Sequence, residues 1–195
     1  RMEHVIEDSR QRLKTVIENA PDAIFTYDTS GRFTSGNRKA EEILGYTKEE
    51  MIGKTFAESG IFTAESLAKT RDRLAKYKDG KETEPLPYEM VARDGHHVFV
   101  EVRGIPIVQG DKVEVIAIAR DITDRKKTEE ALRQSEEKLR AIFESISDSI
   151  TVIDGDGSIT EVNDAAIKLF GCKNREEALG TQALSFIAEE YQPSA

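Results

Sequence analysis

One cysteine, Cys172, stands in 195 residues. An internal disulfide is thereby excluded, as is a metal site built from several cysteines, and a reducing, cytoplasmic setting fits. Histidines number three. His96 and His97 are neighbours on a predicted strand, where adjacent side chains point to opposite faces, so they do not grip one metal ion together. No apolar run approaches the roughly 20 residues that a membrane-spanning helix needs, and no signal peptide is present. No glycine-rich phosphate cradle, G-x-S-x-G or H-E-x-x-H occurs. Nor does a phosphoacceptor box, so no catalytic residue and no metal ligand is assigned. The formal net charge of -9 opposes a phosphate backbone or an anionic membrane surface as partner.

What is present is a soluble, globular composition, with 38% hydrophobic and 33% charged residues. The chain is organised around Arg120 to Ile146. Val113 to Ala119 is β-branched or small at nearly every position, which predicts a strand buried on both faces. Arg120-Asp121-Ile122-Thr123 ends it, and Thr123 is placed to cap a following helix through its hydroxyl. From Asp124 no Gly or Pro interrupts the chain until Gly155. Leu132, Leu139 and Ile146 recur every seven residues, with Thr128, Ser135 and Ile142 as companions, giving a half-apolar seam. Glu129 to Arg133 and Glu136 to Arg140 are i,i+4 pairs in the favourable order.

The earlier part reads as helices and strands in alternation. Ile6, Leu13 and Ala20 lie seven apart, with Met2, Ser9 and Val16 as companions, until Pro21 stops the helix. A hairpin follows, with strands at Ala23–Tyr27 and Arg32–Ser35 and a turn at Asp28–Gly31. Asn37 can cap a helix carrying Ala40, Ile43 and Leu44, ended by Gly45. Lys48–Ile52 gives a short turn of helix. Thr63 opens a longer one, with Leu67, Leu74 and Tyr77 on its apolar side. Three strands close the set: Tyr88–Ala92, His97–Ile105 after Asp94-Gly95, and the last after Gln109-Gly110-Asp111. The fold class is α+β with one antiparallel sheet.

The chain also repeats itself. An offset of 126 residues aligns Leu13, Glu18, Asp22, Ile24, Asp28, Gly31, Thr34, Asn37, Ala40 and Gly45 with identical residues from Leu139 to Gly171. After one inserted residue, Glu49, Glu50 and Gly53 recur as Glu176, Glu177 and Gly180. This is a tandem duplication. The second copy has no counterpart of Tyr88 to Asp121, so Ile150 to Phe186 is expected to leave apolar surface and strand edges open, poorly ordered or paired with another chain. The opening Arg1-Met2 and the ending Pro193-Ser194-Ala195 suggest a piece of a longer array.

Asn19-Ala20-Pro21-Asp22-Ala23-Ile24, the Asp28/Gly31 turn, Asn37 to Gly45, Arg93-Asp94-Gly95 and Arg120-Asp121-Ile122-Thr123, in this order, resemble a PAS domain with its PAC motif. The resemblance implies four segments: a helical linker at 1–20, a complete domain at 21–123, a coiled-coil-like linker at 124–146 and the front half of a second domain at 147–195. It implies a five-stranded sheet in order 2-1-5-4-3 with small helices cupping a pocket against one face. It also implies a regulatory sensor module of a signalling protein, a two-component histidine kinase before a cyclic-dinucleotide enzyme, with neighbouring PAS or kinase domains in the parent chain. Haem-binding members use a histidine on the helix that Thr63 to Gly80 forms here, and that helix has none. Light-sensing members bond their chromophore to a cysteine, which the complete unit lacks. A non-covalent flavin or a small metabolite stays open as cofactor.

By position, Phe25, Asn37, Leu44, Tyr88 and Met90 are the candidate pocket residues, although Asn37 also suits a cap and the others a core. Asp121, Ile122 and Thr123 are the candidate transmission residues, with Ile122 as buried anchor. Ile6, Leu13, Leu132, Leu139 and Ile142 form the candidate seam of a homodimer. A rival reading keeps the dimer and drops the ligand: an interaction module whose pocket is filled by its own side chains. Asp154-Gly155-Asp156-Gly157-Ser158 has the start of a calcium loop, but Ile159 stands where that loop needs Gly and Ala165 where it needs Glu, so a hairpin is expected. Cys172 reads as a small buried residue.

Overall fold

The computed structural model describes residues 2–110 and 112–187; Asp111, expected in the second turn, and the end of the chain from 188 lie outside the described residues. The chain divides into two compact units, Arg1–Lys127 and Thr128–Ala195.

The first unit begins with α1 (Met2–Glu18). The hairpin β1 (Ala23–Asp28) and β2 (Phe33–Gly36) follows. Its turn is tied by the Asp28 carboxylate, which accepts from the backbone N–H groups of Ser30 and Arg32, and Gly31 takes a φ of 80° that a side chain would strain. Three short helices come next: α2 (Arg38–Leu44), α3 (Lys48–Met51) and α4 (Phe56–Ser59). Thr47 with Glu50 and Thr55 with Glu58 close a capping box on α3 and α4, so even four-residue helices have their first N–H groups satisfied. After α5 (Ala64–Lys78), capped by Thr63, the chain returns as β3 (Leu86–Val91), β4 (His97–Gln109) and β5 (Lys112–Asp121). The sheet order is β2-β1-β5-β4-β3, every neighbouring pair antiparallel.

Helices cover one face of this sheet. Along β5, Val115, Ala117 and Ala119 are buried while Ile116 and Ile118 between them are only half-buried. The strand is therefore buried on one face, not on both as its composition suggested. An uninterrupted apolar run hides this alternation, because the outer positions are isoleucine rather than polar residues. Strand β4 also runs four positions past the expected Ile105, through Pro106. β3 pairs only with His97 to Val102, so Pro106 stands where β4 has a single neighbour and its missing N–H interrupts no second ladder.

The core holds Phe25, Tyr27, Phe33, Phe56, Tyr77, Tyr88 and Met90 against the small residues of β4 and β5. Gly104 lies opposite Ala117 across the β4–β5 ladder, and the Tyr77 ring rests on that floor. A Cβ on Gly104 would come 2.6 Å from Tyr77 Cζ.

The helix α6 (Thr123–Ser145) leads into the second unit. There β6 (Thr151–Ile153) and β7 (Ile159–Val162) form a two-stranded antiparallel sheet, followed by α7 (Asp164–Phe170), α8 (Arg175–Ala178) and a 3-10 turn at Ala183–Phe186. Asp154 ties its hairpin as Asp28 does, accepting from the N–H groups of Asp156 and Ser158. Ile159, Val162, Ala166 and Ala178 make a small core, with Phe170 and Phe186 stacked 4.5 Å apart beside it. Cys172 is half-buried against that core. Val152, Ile153, Leu169 and Leu184 are exposed, yet Ile150 to Phe186 forms strands, helices and a small core rather than the poorly ordered segment expected.

Gly104→Ala is expected to lower the stability of the first unit by about 2–3 kcal/mol, because a buried ring and not a flexible tip blocks the added methyl. Urea unfolding followed by tyrosine fluorescence measures it; an unchanged midpoint would mean that Tyr77 yields freely.

Candidate functional site

The inner side of α5 is more polar than its sequence suggests. Its buried residues are Ser66, Thr70, Arg73 and Tyr77, which fall on one stripe at helical spacing, while the expected Leu67 and Leu74 are only partly buried. Each polar member has work there. The Ser66 hydroxyl donates to Glu89 O and accepts from Glu89 N, tying α5 to β3. Thr70 donates back to Leu67 O. Arg73 donates to Val102 O at 3.1 Å, Glu84 O at 2.9 Å, the Tyr88 hydroxyl at 3.3 Å and the Thr83 hydroxyl. Sequence reasoning by hydrophobic period missed all three. Their common phase with Tyr77 was the available signal.

Between this stripe and the sheet lies a small cavity of about 20 Å³, lined by Phe25, Tyr27, Arg73, Tyr77, Tyr88 and Met90 among others. Phe25, Tyr88 and Met90 of the expected pocket are thus brought together. Burial pushes the Tyr27 phenol far above its ordinary pKa, with Tyr77 alongside adding to the shift, and burial raises Tyr88 also. Leu44 is buried in the core but does not line this cavity. Asn37 does not reach it either. It borders a second void of similar size beside α2 and α3.

Asn37 is fully occupied elsewhere. Its Oδ1 accepts from Ile24 N and from Ala40 N, and its Nδ2 donates to Ile17 O and Asp22 O. A carboxamide has two donor hydrogens and two acceptor lone pairs, so none is left for a ligand. The duplicate Asn163 repeats the pattern: Oδ1 accepts from Ile150 N and Ala166 N, and Nδ2 lies within bonding distance of the carbonyls of Phe143, Ile146 and Asp148. A carboxylate completes each clamp. Glu18 accepts from Arg38 N and pairs with Lys48 at 2.6 Å; Glu144 accepts from Asp164 N and pairs with Arg175. The last turn of the helix that enters each unit is therefore fastened to the unit's first hairpin and small helices. The Lys48 ammonium, with the Arg38 N–H, holds the Glu18 carboxyl below the usual glutamate range.

At the other end of the first unit Thr123 is the first residue of α6. Its hydroxyl accepts from Phe99 N at 3.0 Å, while Asp121 Oδ1 accepts from Thr123 N at 2.8 Å. Ile122 is buried, and its N–H donates to Phe99 O. Phe99 of β4 thus holds both the strand end and the first residue of α6. Propensity names the right residue types here; which backbone group Thr123 meets depends on β4 lying beside β5.

Along α1 and α6 no side chain among the described residues is buried. Leu13 is 61% exposed, Leu132 60%, Leu139 64%, and Ile6 and Ile142 each 49%. On α6, Arg133 reaches Glu130 and Glu137. No helix of the described residues is long and apolar enough to cross a membrane.

Comparison with known proteins agrees with this geometry. Residues 17–127 match the family described as PAS fold, and residues 137–194 match the one described as PAS domain. The chain belongs to the PAS-fold family, with a second PAS match after the first. Sporulation kinase E of Bacillus subtilis is 26% identical over 175 residues, which is 90% of this chain and 23% of that protein. The cell-division control histidine kinase PdhS of Brucella anthropi is 29% identical over 140 residues, 65% of this chain and 12% of that one. The chain thus spans less than a quarter of either relative. The crystal structure of the PAS domain of an HTR-like protein from Haloarcula marismortui superimposes with a TM-score of 0.55 at 25% identity, covering 62% of this chain and 98% of that domain. The chain is a PAS sensor region similar to those of histidine kinases.

Asn37→Ala is expected to cost about 3 kcal/mol, combining a lost helix cap with backbone groups left unpaired. Hydrogen exchange should quicken at Ile24 and Ala40; unchanged protection would refute the clamp. Acid loosens the same joint. Because the folded Glu18 pKa is depressed, its contribution is complete above the ordinary glutamate value of 4.5 and is lost as pH falls through the lower folded value. Lys48→Met should reduce that acid dependence in unfolding curves taken at falling pH, the Arg38 N–H bond to Glu18 remaining.

Proposed function

We propose that this chain is an input and relay segment of a sensor histidine kinase: a small molecule bound in the cavity beside α5 alters the sheet, and α6 carries the change onward. The observation that carries the reading is the joint at Phe99. The backbone of a core strand bonds both Ile122 and Thr123, so a shift of β4 against β5 must move the first turn of α6. A ligand acts only by binding two arrangements of that joint unequally. In this reading Asp121, Ile122 and Thr123 transmit, and Phe25, Tyr88 and Met90 touch the ligand. A cavity of about 20 Å³ favours a ligand of a few atoms over a flavin ring.

The segment itself takes no catalytic step. Output belongs to a kinase domain elsewhere in a cytoplasmic parent chain, with a cyclic-dinucleotide enzyme as the alternative. The exposed seam of Ile6, Leu13, Leu132, Leu139 and Ile142 supports a homodimer through the helices. It equally supports the second reading, a dimerisation module without ligand, which the aromatic filling of the core favours.

Native mass spectrometry of freshly purified protein, with an absorption spectrum, separates the two readings. Retained small mass on each chain supports sensing; a clean dimer supports the interaction module. Leu132→Ser with Leu139→Ser is expected to weaken the dimer at least tenfold in sedimentation, and an unchanged association would remove the helical dimer from both readings.

A further inference from the structure

We infer that the cavity beside α5 receives a small monovalent anion of the carboxylate type, held by the guanidinium of Arg73. This rests on the sensing reading of that cavity and names the class of ligand. Arg73 is 5% exposed and lines the void. All its hydrogen bonds run to neutral oxygens: two hydroxyls, Thr83 and Tyr88, and two carbonyls, Glu84 and Val102. The rings of Tyr77 and Tyr88 flank it, each centroid 5.8 Å from its Cζ. Among the described residues no carboxylate pairs with it. The partly buried cations elsewhere behave differently, since Lys48 has Glu18 and Arg175 has Glu144.

A full positive charge taken out of water without a counter-charge is costly even when every N–H has an acceptor, because neutral dipoles replace only part of its hydration. An anion in the adjoining void would supply the missing charge. The longest of the Arg73 bonds, 3.3 Å to the Tyr88 hydroxyl, is the one an incoming oxygen would most easily replace. The freed Tyr88 hydroxyl and the buried Tyr27 phenol are further donors on the same lining. Size and charge bound the ligand. The void is small, which bounds the ligand to a few atoms, and one guanidinium among aromatic rings matches one negative charge.

The test is thermal unfolding and titration calorimetry of the whole chain with sodium formate, acetate and nitrate at constant ionic strength, sodium chloride and sulfate being the references. A saturable rise in the unfolding midpoint of roughly 4 °C or more at about 100 times Kd is expected for formate or acetate, and nitrate serves as a planar isostere. Arg73→Gln should weaken binding at least tenfold. Should that variant fail to fold, Tyr27→Phe, which keeps the Arg73 bonds, should weaken it several-fold. No saturable binding by any of these anions overturns the proposal, as does full affinity in a folded Arg73→Gln protein. Hydrogen exchange at the start of α6 separates the two ideas: binding with no change there keeps the anion site and removes the relay. Altered exchange there in Thr123→Val, without anion binding, keeps the relay joint and removes the anion.

Discussion

Both units depend on one buried carboxamide. Asn37 and Asn163 sit where a hairpin ends and a helix starts, and each joins three stretches of backbone: the entering helix, the first strand and the next helix. Only an amide of this length has donors and acceptors enough for all of them. An aspartate would set carboxylate oxygen against carbonyl oxygen, and a serine or threonine would cap the helix and leave the other backbone groups bare. The paired Glu18 and Glu144 add charge to the same joint. Duplication has copied the clamp whole, including its cation, which changed from Lys48 to Arg175 and moved by one residue.

The first unit is two fastened ends with a tight interior between them. The entering helix is tied through Asn37 and Glu18, the leaving helix through Phe99, and β4 and β5 run between the cavity and the exit. Gly104 and Ala117 let Tyr77 approach the sheet, so the interior is packed by rings against small residues, with little empty volume. A sheet packed this closely shifts as a piece rather than bending locally. On the proposed sensing reading, that property links what fills the cavity to what happens at Ile122 and Thr123.

Much of this was legible because it is local. Turns need Gly31 and an aspartate at fixed spacing, helix starts need Asn37 or Thr63, and the repeat exposes the same devices twice. Strand order followed from the resemblance to a known family and not from period or spacing. The site was less legible. Phe25, Tyr88 and Met90 do meet around one void, but Leu44 belongs to the core and Asn37 to the clamp. Arg73, Ser66 and Thr70 went unread, since a polar residue on a helix is expected to face water unless a partner, here supplied by β3, β4 and the segment before β3, makes its burial tolerable.

The sequence by itself determined the helix starts at Asn37 and Thr63, the glycine-bearing turns, that the chain repeats, and which helices carry an apolar seam, because these depend on side chains within a few residues of one another. Tertiary structure alone decided what each polar group meets. Thr123 met Phe99 of a distant strand, Arg73 was enclosed by neutral oxygens, and the outer face of β5 was left half open. Each outcome rests on groups far apart in the chain, and hydrogen bonds and burial are settled only when the sheet has assembled.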